Sequence, residues 1–193
     1  MSALVAKPGS AALPDAQVAS LPSQYLTFTL GGEMFAVGIL CVKEIIEYGS
    51  LTEIPMMPTF IRGVINLRGA VVPVIDLAAR FGGRSTEVGK RTCIVIVELG
   101  DTAGEDATRH DIGIIVDAVS EVLDIPASEI EPPPTFGARI RADFILGMGK
   151  VAGKFVIILN IDRVLSVDEI ALLAASDGAG TAPGTPGAVP GND

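Results

Sequence analysis

Short apolar runs alternate with turn residues along most of the chain. Residues 26–30 (LTFTL) lead through Gly31-Gly32 into residues 34–39 (MFAVGI), and residues 60–65 (FIRGVI) lead through Asn66-Leu67-Arg68-Gly69 into residues 70–76 (AVVPVID). Runs of this length, rich in Val, Ile, Thr and Phe and bounded by Gly, Asn and Asp, predict β-strands joined by tight hairpins. Gly69 supplies the positive φ that such a turn commonly needs. Residues 94–98 (IVIVE) open a further set of strands, and residues 99–110 (LGDTAGEDATRH) read as a polar, acidic surface loop. Only two stretches suggest helix. Residues 77–81 (LAARF) give a turn or two, and residues 166–175 (SVDEIALLAA) place Ser166 as N-cap and Glu169 as its capping-box partner.

The pattern occurs twice. Residues 144–161 (FILGMGKVAGKFVIILNI) repeat residues 60–77 (FIRGVINLRGAVVPVIDL), with identical pairs at Phe60/Phe144, Ile61/Ile145, Gly63/Gly147, Gly69/Gly153 and Val72/Val156. Upstream, residues 35–47 (FAVGILCVKEIIE) answer residues 112–124 (IGIIVDAVSEVLD), matching Val42 to Val119 and Glu44 to Glu121, and the same alignment lays Pro55 on Pro132. The first copy spans about 24–81 and the second about 92–165. A repeat of roughly half the chain means two copies of one small unit, not a solenoid. Halves this small are marginal alone, so one cooperative unit is expected. The predicted fold is mainly β, a pair of small β-barrels.

Composition narrows the function. The Ala-, Gly-, Pro- and Ser-rich ends, 1–22 and 176–193, cannot bury enough apolar area to offset the entropy of ordering, and are expected to be disordered around a domain at 23–175. A net charge of −9 argues against nucleic-acid binding and against docking on anionic lipid. No apolar run approaches the roughly 20 residues of a membrane helix, and no signal peptide is visible, so a cytoplasmic protein without membrane insertion is expected. The two cysteines, Cys41 and Cys93, lie in apolar runs far apart and read as buried free thiols.

Candidate chemistry is sparse. His110 is the only histidine and sits in the acidic loop. No nucleophile elbow and no zinc-binding spacing occurs, and no cofactor or metal is expected. Gly147-Met148-Gly149-Lys150 lacks the spacing of a phosphate loop and reads as turn chemistry. Asp76 and Asn160 close equivalent strands, which suits a cap or turn. The chain does not read as an enzyme.

Differences between the copies separate what the fold requires from what was added. Gly63/Gly147 and Gly69/Gly153 answer to backbone geometry, and Val42/Val119 to packing. Arg68 faces Ala152 in the other copy, so the turn itself does not need a cation. Arg68 is either an ordinary solvated arginine or a planar charge held out to pair a carboxylate on a partner. Arg62, opposite Leu146, shows the same asymmetry.

The run FIRGVINLRGAVVPVIDL, preceded by FAVGILCVKEIIE and followed by IGIIVDAVSEVLDI, resembles CheW, the adaptor family of bacterial chemotaxis, over about residues 23–175. The block NLRG-x-V-x-P-V-x-D-L is specific to that family in its strand–turn–strand setting. The resemblance implies two intertwined five-stranded SH3-like β-barrels with a short C-terminal helix. It also implies no catalysis, and a role coupling chemoreceptor cytoplasmic tips to the regulatory domain of the histidine kinase CheA in receptor arrays. By motif match, the family's receptor contacts fall on Val42, Glu44, Gly63 and Arg68. A groove between the barrels, lined by Val37 and Ile39, would take the receptor helix. Two alternatives keep their place: a CheW-like paralogue of another receptor-controlled pathway, and a small-molecule sensor or enzyme using the cleft between barrels.

Overall fold

A computed structural model describes residues 24–100, 109–134 and 140–166. The strands are β1 (Gln24–Leu30), β2 (Glu33–Gly38), β3 (Val42–Glu47), β4 (Ile61–Leu67), β5 (Ala70–Asp76), β6 (Cys93–Gly100), β7 (Arg109–Val116), β8 (Ala118–Asp124), β9 (Ile130–Glu131), β10 (Ile145–Val151) and β11 (Lys154–Leu159). Two one-turn helices, α1 (Leu77–Arg80) and α2 (Ile161–Val164), follow β5 and β11. The helix expected at 166–175 lies outside the described residues beyond Ser166.

The strands form two sheets, in the orders β3-β6-β7-β5-β4 and β8-β1-β2-β11-β10-β9. These orders correspond strand for strand under the duplication, with β1 matching β6, β2 matching β7, β3 matching β8, β4 matching β10 and β5 matching β11. Each sheet therefore takes its first hairpin from the other copy. The joins are parallel, β2 with β11 and β7 with β5. This exchange is the intertwining expected from the resemblance, and the sheets are consistent with SH3-like barrels. The sheet containing β1 is called here the first barrel, and the one containing β3 the second. Even the short β9 has a counterpart, the isolated bridge between Thr52 and Val64. That equivalence sets Thr52 against Glu131, out of step with the alignment of Pro55 on Pro132.

Exchange explains why the hairpins are apolar on both faces. On β6, Ile94 and Ile96 fill the second barrel, while Val95, Val97 and Leu99 enter a central cluster. On the matching β1, Tyr25 lies in the first barrel, whereas Leu26, Phe28 and Leu30 enter the same central cluster. The largest core thus lies between the barrels. Val37 is fully buried in it, so the open inter-barrel groove lined by Val37 is not what the structure contains. Arg80 of α1 crosses this centre. Its Nε donates to the Val164 carbonyl at 3.0 Å, and its guanidinium stands 5.2 Å from the Phe60 ring centre and 4.8 Å from that of the equivalent Phe144. Each such contact contributes roughly 0.5–2 kcal/mol, so one arginine ties equivalent points of both copies.

Turns and bulges recur as pairs. Arg68-Gly69 (φ 51° and 87°) and Ala152-Gly153 (φ 50° and 77°) are left-handed at both central positions, as the two-residue hairpin requires. The sequence suggested a positive φ for the glycines alone. The ladder of β4 with β5 shifts between Ile61 and Gly63, and that of β10 with β11 between Ile145 and Gly147. Gly147-Met148-Gly149-Lys150 is accordingly strand, not turn: a Cβ on Gly147 would run into Ile130 and the Glu131 carbonyl. Of the residues read as an acidic loop, Leu99 and Gly100 belong to β6 and Arg109 and His110 to β7, while 101–108 lie outside the described residues.

Candidate functional site

Between the end strands of the second barrel, β3 and β4, which do not pair with each other, runs a seam that one side-chain pair bridges. Arg68 lies in the turn after β4, and its Nη2 donates to Glu44 Oε2 of β3 at 2.9 Å. Two of the residues assigned as partner contacts are thus each other's partners. Their environments differ: the Arg68 side chain is 79% exposed and that of Glu44 24%. An ion pair so exposed contributes at most about 1 kcal/mol, while a left-handed non-glycine residue costs roughly that much. Stability alone gives no reason to keep an arginine here. The matching positions in the first barrel are Glu121 and Ala152, which cannot form such a pair.

Val42 and Gly63 occupy structural positions. Val42 packs against the central cluster, as does its counterpart Val119. The ladder of β3 with β6 shifts between Val42 and Glu44, which places Lys43 at a bulge. Gly63 is buried at φ 146°, and a Cβ there would collide with the Thr52 carbonyl, whose bridge to Val64 it permits. Ile39 is half-buried beside the same cluster.

Arg62 is not a surface contact. Its Nη1 lies 3.2 Å from Asp76 Oδ2, and Asp76 is completely buried. That carboxylate also accepts hydrogen bonds from the Ala78 and Ala79 amides at the start of α1 and from the amide and hydroxyl of Thr86. In the other copy the pair becomes Leu146 and Asn160, with Asn160 capping α2 through the Arg163 amide. The asymmetry read at Arg62 follows from the charge on Asp76.

A charge network at the mouth of the second barrel escaped the sequence reading. Glu98 and Asp111 oppose each other in the β6–β7 register, a repulsive arrangement for like charges. Lys43, at its bulge, reaches Asp111 at 2.9 Å and Glu98 at 3.4 Å, and Arg109 holds the other Glu98 oxygen at 2.8 Å. The hydrogen bond to Asp111 moves the Lys43 pKa above the usual lysine range. A signal existed in the sequence: Lys43 faces Ser120 in the other copy, an asymmetry like that of Arg68.

Nothing in this arrangement is set up for covalent chemistry. Cys41 donates from Sγ to the Gly38 carbonyl at 3.0 Å, and burial pushes its thiol up to about 11, so it stays protonated at neutral pH. Cys41 and Cys93 are free, half-buried thiols near opposite ends of the β3–β6 pairing. Among the described residues no cluster of His, Cys, Asp and Glu is able to hold a metal ion, and no helix is long and apolar enough to cross a membrane.

The sequence profile of the CheW-like domain matches residues 24–169. The chain is 35% identical over 150 residues to the chemotaxis protein CheW of Klebsiella aerogenes, covering 78% of this chain and 86% of that protein. It is 30% identical over 144 residues to protein FrzA of Myxococcus xanthus, covering 74% and 84% respectively. The crystal structure of the scaffolding protein TtCheW from Thermoanaerobacter tengcongensis superposes with a TM-score of 0.66 at 37% identity, covering 77% of this chain and 90% of that one.

Proposed function

Since this chain belongs to the CheW-like domain family, whose members are non-catalytic adaptors of chemotaxis signalling, we propose that it couples chemoreceptor cytoplasmic tips to the regulatory domain of the histidine kinase CheA. The work is done in the cytoplasm at receptor arrays, by binding alone. Arg68 is the residue on which receptor recognition turns, with Glu44 orienting it and Val42 and Gly63 shaping the strands beneath. The observation that carries this reading is Arg68 itself. It is a strained, largely exposed arginine, paired only at the surface, at a turn where the other copy uses alanine. Fold stability favours glycine or asparagine there, so a demand other than folding keeps the guanidinium.

A charge exchange tests this. Arg68→Glu sets two carboxylates together at the seam, and adding Glu44→Arg restores the internal pair with reversed polarity. If receptor recognition uses the Arg68 charge, the double variant recovers its melting temperature but not its affinity for a chemoreceptor tip fragment. Full recovery of affinity in the double variant would reduce Arg68 to a seam latch.

A further inference from the structure

The segment that carries the chain from β3 into β4 holds a backbone outlier of its own. Pro55 and Met56 form the centre of a turn, and Met56 sits at φ 63° and is 81% exposed. A proline followed by a left-handed residue is the pattern of a type II turn, whose second central position favours glycine or asparagine. Any other residue there brings its Cβ against the backbone. Packing returns nothing for that strain, because Met56 joins none of the apolar clusters, whereas Pro58, two residues on, is buried. The turn therefore holds a thioether out in water. The other described methionines are better covered: Met34 and Met57 are 37% and 40% exposed, and Met148 lies half-buried within β10 opposite Ile157. Met1 is outside the described residues. Of the two thiols, both half-buried, Cys41 is pushed up to about 11 by burial and is protonated at neutral pH.

We propose that Met56 is a modification site: of the described methionines it is the one that peroxides oxidise first, and its oxidation leaves the fold intact. A lone pair on Sδ attacks one oxygen of hydrogen peroxide, so that an S–O bond forms as the O–O bond breaks. The proton of the attacked hydroxyl passes to the departing hydroxide, which leaves as water. The sulfur gives up two electrons and the peroxide takes them. The product, methionine sulfoxide, is polar and chiral where an apolar side chain stood. In a core that change disrupts packing, whereas at Met56 the new oxygen enters solvent. The site involves no partner protein and stands apart from the receptor-coupling reading above.

The test exposes the full folded chain to dilute hydrogen peroxide and follows each methionine over time by peptide mass spectrometry. Sulfoxide at Met56 is expected to form about twofold faster or more than at Met34, Met57 or Met148, in line with their exposures. In denaturant the four rates should converge. Chain sampled early, oxidised at Met56 but not at the other three, should melt at the wild-type temperature. Met56→Gly should melt no lower than wild type, since the turn accepts glycine without strain. A folded chain in which one of the other three reacts first, or in which all four react at one rate, overturns the proposal. So does a lower melting temperature after oxidation at Met56, or in Met56→Gly, because either result gives the thioether a place in the packing.

Discussion

Arg62 and Arg68 are separated by a few residues and looked alike in the sequence, since each faces an uncharged residue in the other copy. Structure divides them. Arg62 answers a buried carboxylate, whereas in the other copy the two positions hold the uncharged Leu146 and Asn160. Arg62→Leu should therefore destabilise by roughly 2 kcal/mol, less than the 3–5 of a fully buried pair because Arg62 is partly exposed. Because the Asp76 carboxylate also accepts from Thr86 and the α1 amides, Asp76→Asn should destabilise on its own, and the double variant should lose less than the sum of the two single losses in chemical denaturation. If the two losses simply add, the pair is not coupled as described. Arg68 behaves oppositely. Arg68→Gly removes left-handed strain and only an exposed ion pair, so stability should rise by roughly 0–1 kcal/mol while receptor binding falls. A less stable Arg68→Gly would show that the residue serves the fold. No one-residue reading of the sequence could separate these arginines, because their partners, Asp76 and Glu44, come from other strands.

Most strands and both hairpin turns were legible from periodicity and glycine, because a two-residue turn between alternating runs has few alternatives. What failed were readings that need a neighbour. Gly147 and Gly149 looked like turn residues, yet they lie mid-strand because Ile130, Glu131 and Ile125 leave no room for a side chain. Leu99 looked like loop because the apolar cluster it joins is assembled from strands of both copies. Val37 was expected to line a groove, and the exchange of hairpins buries it. Gly63 was assigned as a partner contact, and its steric setting gives a direct test. Gly63→Ala should lower stability by about 2 kcal/mol or more through the clash with the Thr52 backbone, so any loss of binding should come with a lower melting temperature. Lost binding with an unchanged melting temperature would make Gly63 a contact in its own right.

Across the whole molecule, the exchanged hairpins make each copy dependent on the other. Neither half completes a barrel alone, and the largest apolar cluster draws on both. Separate fragments of residues 24–91 and 92–166 should each lack a cooperative thermal transition, and mixing them should restore one. A fragment that melts cooperatively by itself would contradict this. The duplication was plain in the sequence, but which copy supplies which strand was not, since repeat alignment is silent on pairing. The same interlocking yields a rigid body with distinct surfaces, which is what an adaptor needs to hold two partners at once. The measurement closest to that claim is sedimentation velocity of a chemoreceptor tip fragment and the CheA regulatory domain, with and without this chain. The account predicts that the two partners co-sediment only when the chain is added, and that Arg68→Glu releases the receptor fragment while the kinase domain stays bound. Partners that bind the chain one at a time but never together would contradict it.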